Sequence, residues 1–129
     1  MAGTFVSDTI QDGTGNSTST TNVIQGCAKA WVRFAGATGT IAGSYNVSSV
    51  TRTSTGYYTV NFTTAMANAN YSAVGSVSTT AATGYAVLFM FTNASYTATA
   101  PTTSSFVMAS VNSGAVYIDP VYVTVSVFD

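Results

Sequence analysis

The sequence predicts an all-β protein, an antiparallel β-sandwich of jelly-roll-like type preceded by an N-terminal strand arm. Three observations carry this: period-two alternation of apolar and polar residues, breaker clusters at close and regular spacing, and a composition rich in Thr, Ser, Val and Tyr with almost no helix-forming text.

Alternation is clearest at the C-terminus. Val121, Val123, Val125 and Val127 share one phase while Tyr122, Thr124, Ser126 and Phe128 share the other, which is a strand with one buried face. Asp119-Pro120 ahead of it supplies a turn and removes a backbone donor where a strand entrance tolerates the loss. The same pattern predicts strands near Thr4 to Gln11, Ala28 to Phe34, Ile41 to Val50, Gly56 to Phe62, Tyr71 to Ser78, Tyr85 to Phe91, Tyr96 to Thr99 and Ser105 to Val111. Between them stand the breakers Asp12-Gly13-Thr14-Gly15-Asn16, Gly36-Ala37-Thr38-Gly39, Ser54-Thr55-Gly56 and Asn112-Ser113-Gly114. The alanine-rich stretch Thr64 to Asn70 is too short for a stable isolated helix and reads as a loop with at most one turn.

Two units follow from the composition along the chain. Residues 1–22 are a strand arm plus a Gly/Ser/Thr-rich link, Asp12 to Asn22, that reads as flexible. Residues 23–129 are the β-sandwich. The arm either pairs with another subunit or protein by strand addition, through Phe5, Val6 and Ile10, or forms an edge strand of its own sheet.

Of 129 residues only 5% are charged and 47% are hydrophobic, with no histidine, no glutamate, four aspartates and three bases. General acid–base, nucleophilic and metal chemistry draw on the missing side chains, so the expectation is a binding or building protein, not an enzyme, with no cofactor and no metal. The formal net charge of -1 leaves no basic groove for nucleic acid and no polybasic patch for a membrane surface. No apolar run approaches the roughly 18 residues of a membrane span, and the N-terminus lacks the pattern of a signal peptide. The single cysteine, Cys27, permits no intrachain disulfide and reads as a small buried hydrophobe. A surface so poor in charge fits a protein covered by copies of itself or by a larger assembly.

Individual candidates are few. Asp12-Gly13-Thr14-Gly15-Asn16 has a distant likeness to a calcium loop but lacks its spaced carboxylates and terminal glutamate. Lys29, Trp31 and Arg33 alternate with Ala28, Ala30, Val32 and Phe34, placing two cations and the only tryptophan on one strand face. That face could stack a sugar ring on Trp31 with Arg33 as donor, or could anchor a protein interface, where aromatic and arginine side chains are enriched. Tyr57 and Tyr58 point to opposite faces of their strand, so at least one is expected at the surface or an interface. Sequons at Asn16, Asn46, Asn61, Asn70 and Asn93 are what chance yields where nearly a third of the residues are Ser or Thr.

A longer text runs from Ala30 to Ser76: Ala30-Trp31-Val32-Arg33-Phe34, Ser44-Tyr45-Asn46-Val47-Ser48-Ser49-Val50, Thr55-Gly56-Tyr57-Tyr58-Thr59-Val60-Asn61-Phe62 and Ala65-Met66-Ala67-Asn68-Ala69-Asn70-Tyr71. It resembles the C-terminal modules of bacteriophage tail-fibre and related virion proteins over a little more than a third of the chain. The opening Asp8-Thr9-Ile10-Gln11 is similar to the short strand that often precedes them. The resemblance implies a non-enzymatic, homotrimeric protein on the virion exterior, whose partners are its own copies, the major capsid protein or other virion proteins, and, for a fibre, a host surface glycan. It brings no catalytic residues. No heptads or shaft repeats precede the module, so the expectation leans to a capsid decoration or cement protein, with a receptor-binding tail-fibre tip as the alternative.

Overall fold

A computed structural model of the chain describes residues 3, 6–78 and 86–129. Two short strands, β1 (Thr9–Gln11) and β2 (Ser17–Ser19), form a hairpin, and α1 (Thr20–Gly26) follows at once. Eight strands make the body: β3 (Ala30–Ala35), β4 (Ile41–Tyr45), β5 (Val47–Ser54), β6 (Tyr57–Phe62), β7 (Ser72–Val77), β8 (Val87–Met90), β9 (Ser105–Val111) and β10 (Tyr122–Phe128). They form two four-stranded antiparallel sheets, ordered β4-β3-β10-β7 and β5-β6-β9-β8, so the body is the expected all-β sandwich. No helix among the described residues is long and apolar enough to cross a membrane.

The core follows from strand phase. In β3, Ala30, Val32 and Phe34 point inward while Trp31 and Arg33 point out; in β10, Val123, Val125 and Val127 take the inward phase. β6 contributes Tyr58, Val60 and Phe62, and β9 adds Phe106 and Met108. Aromatic edges meet across the layer: Phe34 and Tyr58 stand 5.1 Å apart and Phe62 and Tyr71 5.6 Å apart, both edge-on, the geometry in which ring quadrupoles attract.

Several expectations need correction. The strand drawn through Ile41 to Val50 is two strands belonging to different sheets, because Asn46 adopts a left-handed backbone (φ 54°) and turns the chain from one layer to the other. Asparagine tolerates that conformation better than most residues, and here its side chain also holds the corner: Nδ2 donates to the Lys29 and Thr64 carbonyls, and Oδ1 accepts from the Thr64 N–H at 2.7 Å. Tyr96 to Thr99 forms no strand, only one bridge, Thr92 to Ala98. Val121 lies outside β10 and is exposed, and Cys27, expected as a buried hydrophobe, is exposed at the end of α1, which has no core behind it to bury it. The stretch Thr64 to Asn70 is a loop, as expected.

The segment Asp12 to Asn22, expected as a flexible link, is instead the turn of the hairpin, its second strand and the first turn of an unexpected helix. One carboxylate organises the turn: Asp12 accepts from the N–H and hydroxyl of Thr14 and from the N–H and side-chain amide of Asn16. Ser19 caps α1 by accepting from the Asn22 N–H at 3.1 Å. Pairing of β1 with β2 also satisfies the first strand within its own chain.

Candidate functional site

The outer face of the sheet containing β3 gathers three of the exposed aromatic side chains of the described residues, Trp31, Tyr45 and Tyr122. Trp31 is directly opposite Tyr45 on β4 and Ser126 on β10, and Ser126 is in turn opposite Val74 on β7. Tyr45, Trp31 and Val74 are 59%, 43% and 55% exposed, so one row across the sheet is almost wholly apolar and open to water. Gly43 lies beside it, where a Cβ would sit in ordinary contact with the outer edge of the Trp31 indole at 3.5 Å. In the next row Arg33 stands between Gly43 and Thr124, and its guanidinium lies 4.4 Å over the ring of Tyr122. That stacking holds the cation flat against the sheet. Among the described residues Arg33 has no ion pair, the one salt bridge being Arg52 with Asp119.

Tyr45 also borders a groove of about 580 Å³ at the end of the sandwich, lined by Lys29, Asn46, Met66, Ala67 and Asp129. Asp129 accepts from the Ala67 N–H and the Asn68 amide, which fixes one wall. Lys29 donates its ammonium to the Ile24 carbonyl in the last turn of α1, where a cation meets the negative end of the helix.

The hairpin and helix form the second exposed surface. None of the residues of α1 is buried, and the first buried residue of the described chain is Ala30. Val6 is 85% exposed, and Ile10 and Ile24 are exposed as well. Asp12 is held far below the usual carboxylate range by the Asn16 amide and the Thr14 hydroxyl and N–H. The loop with a distant likeness to a calcium site thus uses its carboxylate as the acceptor of a turn.

Sequence reasoning placed Phe5, Val6, Ile10, Trp31, Arg33, Tyr57 and Tyr58 at an interface. Trp31 and Arg33 do share one open face, and Val6 and Ile10 are open on the arm. Phe5 lies outside the described residues. Tyr57 is half-buried on the other sheet. Tyr58 is a correction: it is fully buried in the core, and its hydroxyl donates to Asp119 at 3.0 Å, so it offers no surface to a partner. Burial first and the Asp119 charge second push its phenol well above the usual range.

Asp119 is the polar hub of the body. Its carboxylate takes Arg52 in a two-pronged pair at 3.0 and 2.6 Å, together with the Gly56 N–H at 2.8 Å and the Tyr58 hydroxyl. Desolvation raises its pKa, but the Arg52 bond and the Gly56 and Tyr58 bonds together outweigh it and leave the group below the usual carboxylate range. Gly56 is needed at this corner: its φ is +67°, and a Cβ would meet the Ser110 carbonyl oxygen at 2.5 Å. Asp119-Pro120, expected as a turn, is instead irregular backbone ahead of β10, and its carboxylate is the anchor that ties the β5–β6 corner to the entrance of that strand.

Sequence reasoning offers Tyr45 and Tyr122, among the eight tyrosines, as candidate receptor-binding surface, but it does not bring them together with Trp31, and it misses Val74. Among the described residues no three Cys or Asp side chains converge. Comparison with protein-family models, with curated proteins and with solved structures finds no match.

Proposed function

We propose that the chain is a bacteriophage virion structural protein without enzymatic activity, a homotrimer on the particle exterior that serves as a capsid decoration or cement protein. The observation that carries this reading is the unburied N-terminal unit: a hairpin and helix that add nothing to the core yet display Val6, Ile10 and Ile24 to solvent. Exposed apolar groups on an element outside the core are what docking onto another surface, that of a second copy or of the shell, requires. The charge-poor composition and the resemblance of residues 30–76 to virion modules support the same reading. Its partners are its own copies and the capsid shell. The test is attachment to particles: deleting residues 1–22 is expected to abolish binding while the sandwich stays folded, and full occupancy by the truncated protein overturns the docking role.

A second reading, a tail-fibre tip that binds a host glycan, draws on the juxtaposition of Trp31, Tyr45, Arg33 and Tyr122, which suits stacking against a sugar ring with a guanidinium donor beside it. Competition of the purified protein with infection separates it from the first.

A further inference from the structure

We propose that the N-terminal hairpin and helix of one copy dock on the Trp31 face of a second copy, with Asp8 of the arm pairing with Arg33 of the face; this deepens the homotrimer reading and rests on it. Four observations lead there. The arm cannot hold its own structure in water: its strands are three residues each, its helix is seven, and neither a lone hairpin nor a helix of that length is stable without a surface to lean on. The face that offers such a surface stays open although the same chain's arm is present, with Trp31, Tyr45, Val74 and Tyr122 all exposed. Both surfaces are apolar, Val6, Ile10 and Ile24 on one side and those four residues on the other, so each lacks the cover the other can supply.

The charges complete the match. Residues 6–26 carry Asp8 and Asp12 and no base, while all three bases lie in residues 27–129. Within that set most partners are already taken. Asp12 is saturated by Thr14 and Asn16, Asp119 by Arg52, and Lys29 donates to the Ile24 carbonyl. Among the described residues this leaves Asp8 as the arm's carboxylate without a donor and Arg33 as the face's guanidinium without an acceptor. In the arm Asp8 stands between Val6 and Ile10 at alternate positions; on the face Arg33 stands between Trp31 and Tyr122. An ion pair set inside an apolar contact fixes register, because any shifted docking leaves two desolvated charges unmatched. An arm-to-face contact joins two different patches, so it is heterologous and closes into a ring when the rotation allows, as a trimer does.

The test is a charge swap in the full-length protein, read by sedimentation equilibrium, with thermal melts of every variant to show that the sandwich is unchanged. Asp8→Arg and Arg33→Glu are each expected to weaken self-association about tenfold or more, and the double variant to return within about threefold of the starting protein. Single variants that associate as the parent does, or a double variant no stronger than the weaker single, overturn the exchange and leave a homotrimer built through other surfaces standing. A parent protein that is monomeric at every concentration overturns both. Rescue by the double variant in a protein that fails to attach to particles confirms the exchange and removes the virion reading alone.

Discussion

From Ala30 onward the chain feeds inward-pointing residues of both sheets into one continuous core, whereas from Val6 to Gly26 no residue is buried, although both regions use the same Thr, Ser and Val vocabulary. The difference lies in what the alternation has to face. In β3 and β10 the inward residues join one buried apolar cluster with residues of the opposing sheet, and burial of a Val or Phe side chain contributes roughly 1.5–3 kcal/mol. In the hairpin Ile10 is opposite Thr18 and stays 48% exposed, so the unit leans chiefly on hydrogen bonds, each worth about 1 kcal/mol net. The sandwich is self-sufficient, and the hairpin and helix depend on what they touch.

Three substitutions break or sharpen that contrast. The largest effect is expected from Phe34→Ala, which empties a fully buried site against Tyr58 and costs about 3–5 kcal/mol in urea unfolding, with the whole sandwich lost in one transition. Next comes Asp119→Asn, which weakens the Arg52 pair and gives the buried Tyr58 hydroxyl a poorer acceptor to donate to, at a cost of about 1–3 kcal/mol at neutral pH. The sign with pH follows from the lowered carboxyl. Its contribution is fully present above the ordinary value of about 3.9 and is lost as the pH falls through the lower folded value, so parent and variant converge in acid. Unfolding curves from about pH 6 down to about pH 2.5 check this. The smallest effect on global stability is expected from Asp12→Ala: the main unfolding transition stays in place while the amides of Thr14 and Asn16 lose their acceptor and exchange faster. A clear drop in the melting temperature of the sandwich would show the two regions to be coupled.

The body was legible wherever period two ran uninterrupted. β3, β6 and β10 are read directly from Ala30-Val32-Phe34, Tyr58-Val60-Phe62 and Val123-Val125-Val127. The position of Tyr58 was readable too, since it shares phase with Val60 and Phe62, but the pair Tyr57-Tyr58 drew attention to surface chemistry instead. The break at Asn46 was hidden because Tyr45 and Val47 continue an apolar run across it, and only the backbone sign of one residue divides the strands. The helix was hidden because Thr-Thr-Asn-Val-Ile-Gln-Gly has poor intrinsic propensity, and Ser19 as a cap is its single local signal. The Asp119 hub joins residues 52, 56, 58 and 119, whose spacing carries no pattern. The aromatic face needed sheet register: Tyr45, Trp31 and Val74 meet only once β4, β3, β10 and β7 are ordered.

Hydrogen exchange of the full-length protein, at a concentration where it is monomeric and again where it self-associates, tests the division most directly. The amides of β3, β6, β9 and β10 are expected to be protected at both concentrations, and those of β1 and β2 only on association. Strong protection of the hairpin in the dilute monomer, or none in the assembled protein, contradicts the account.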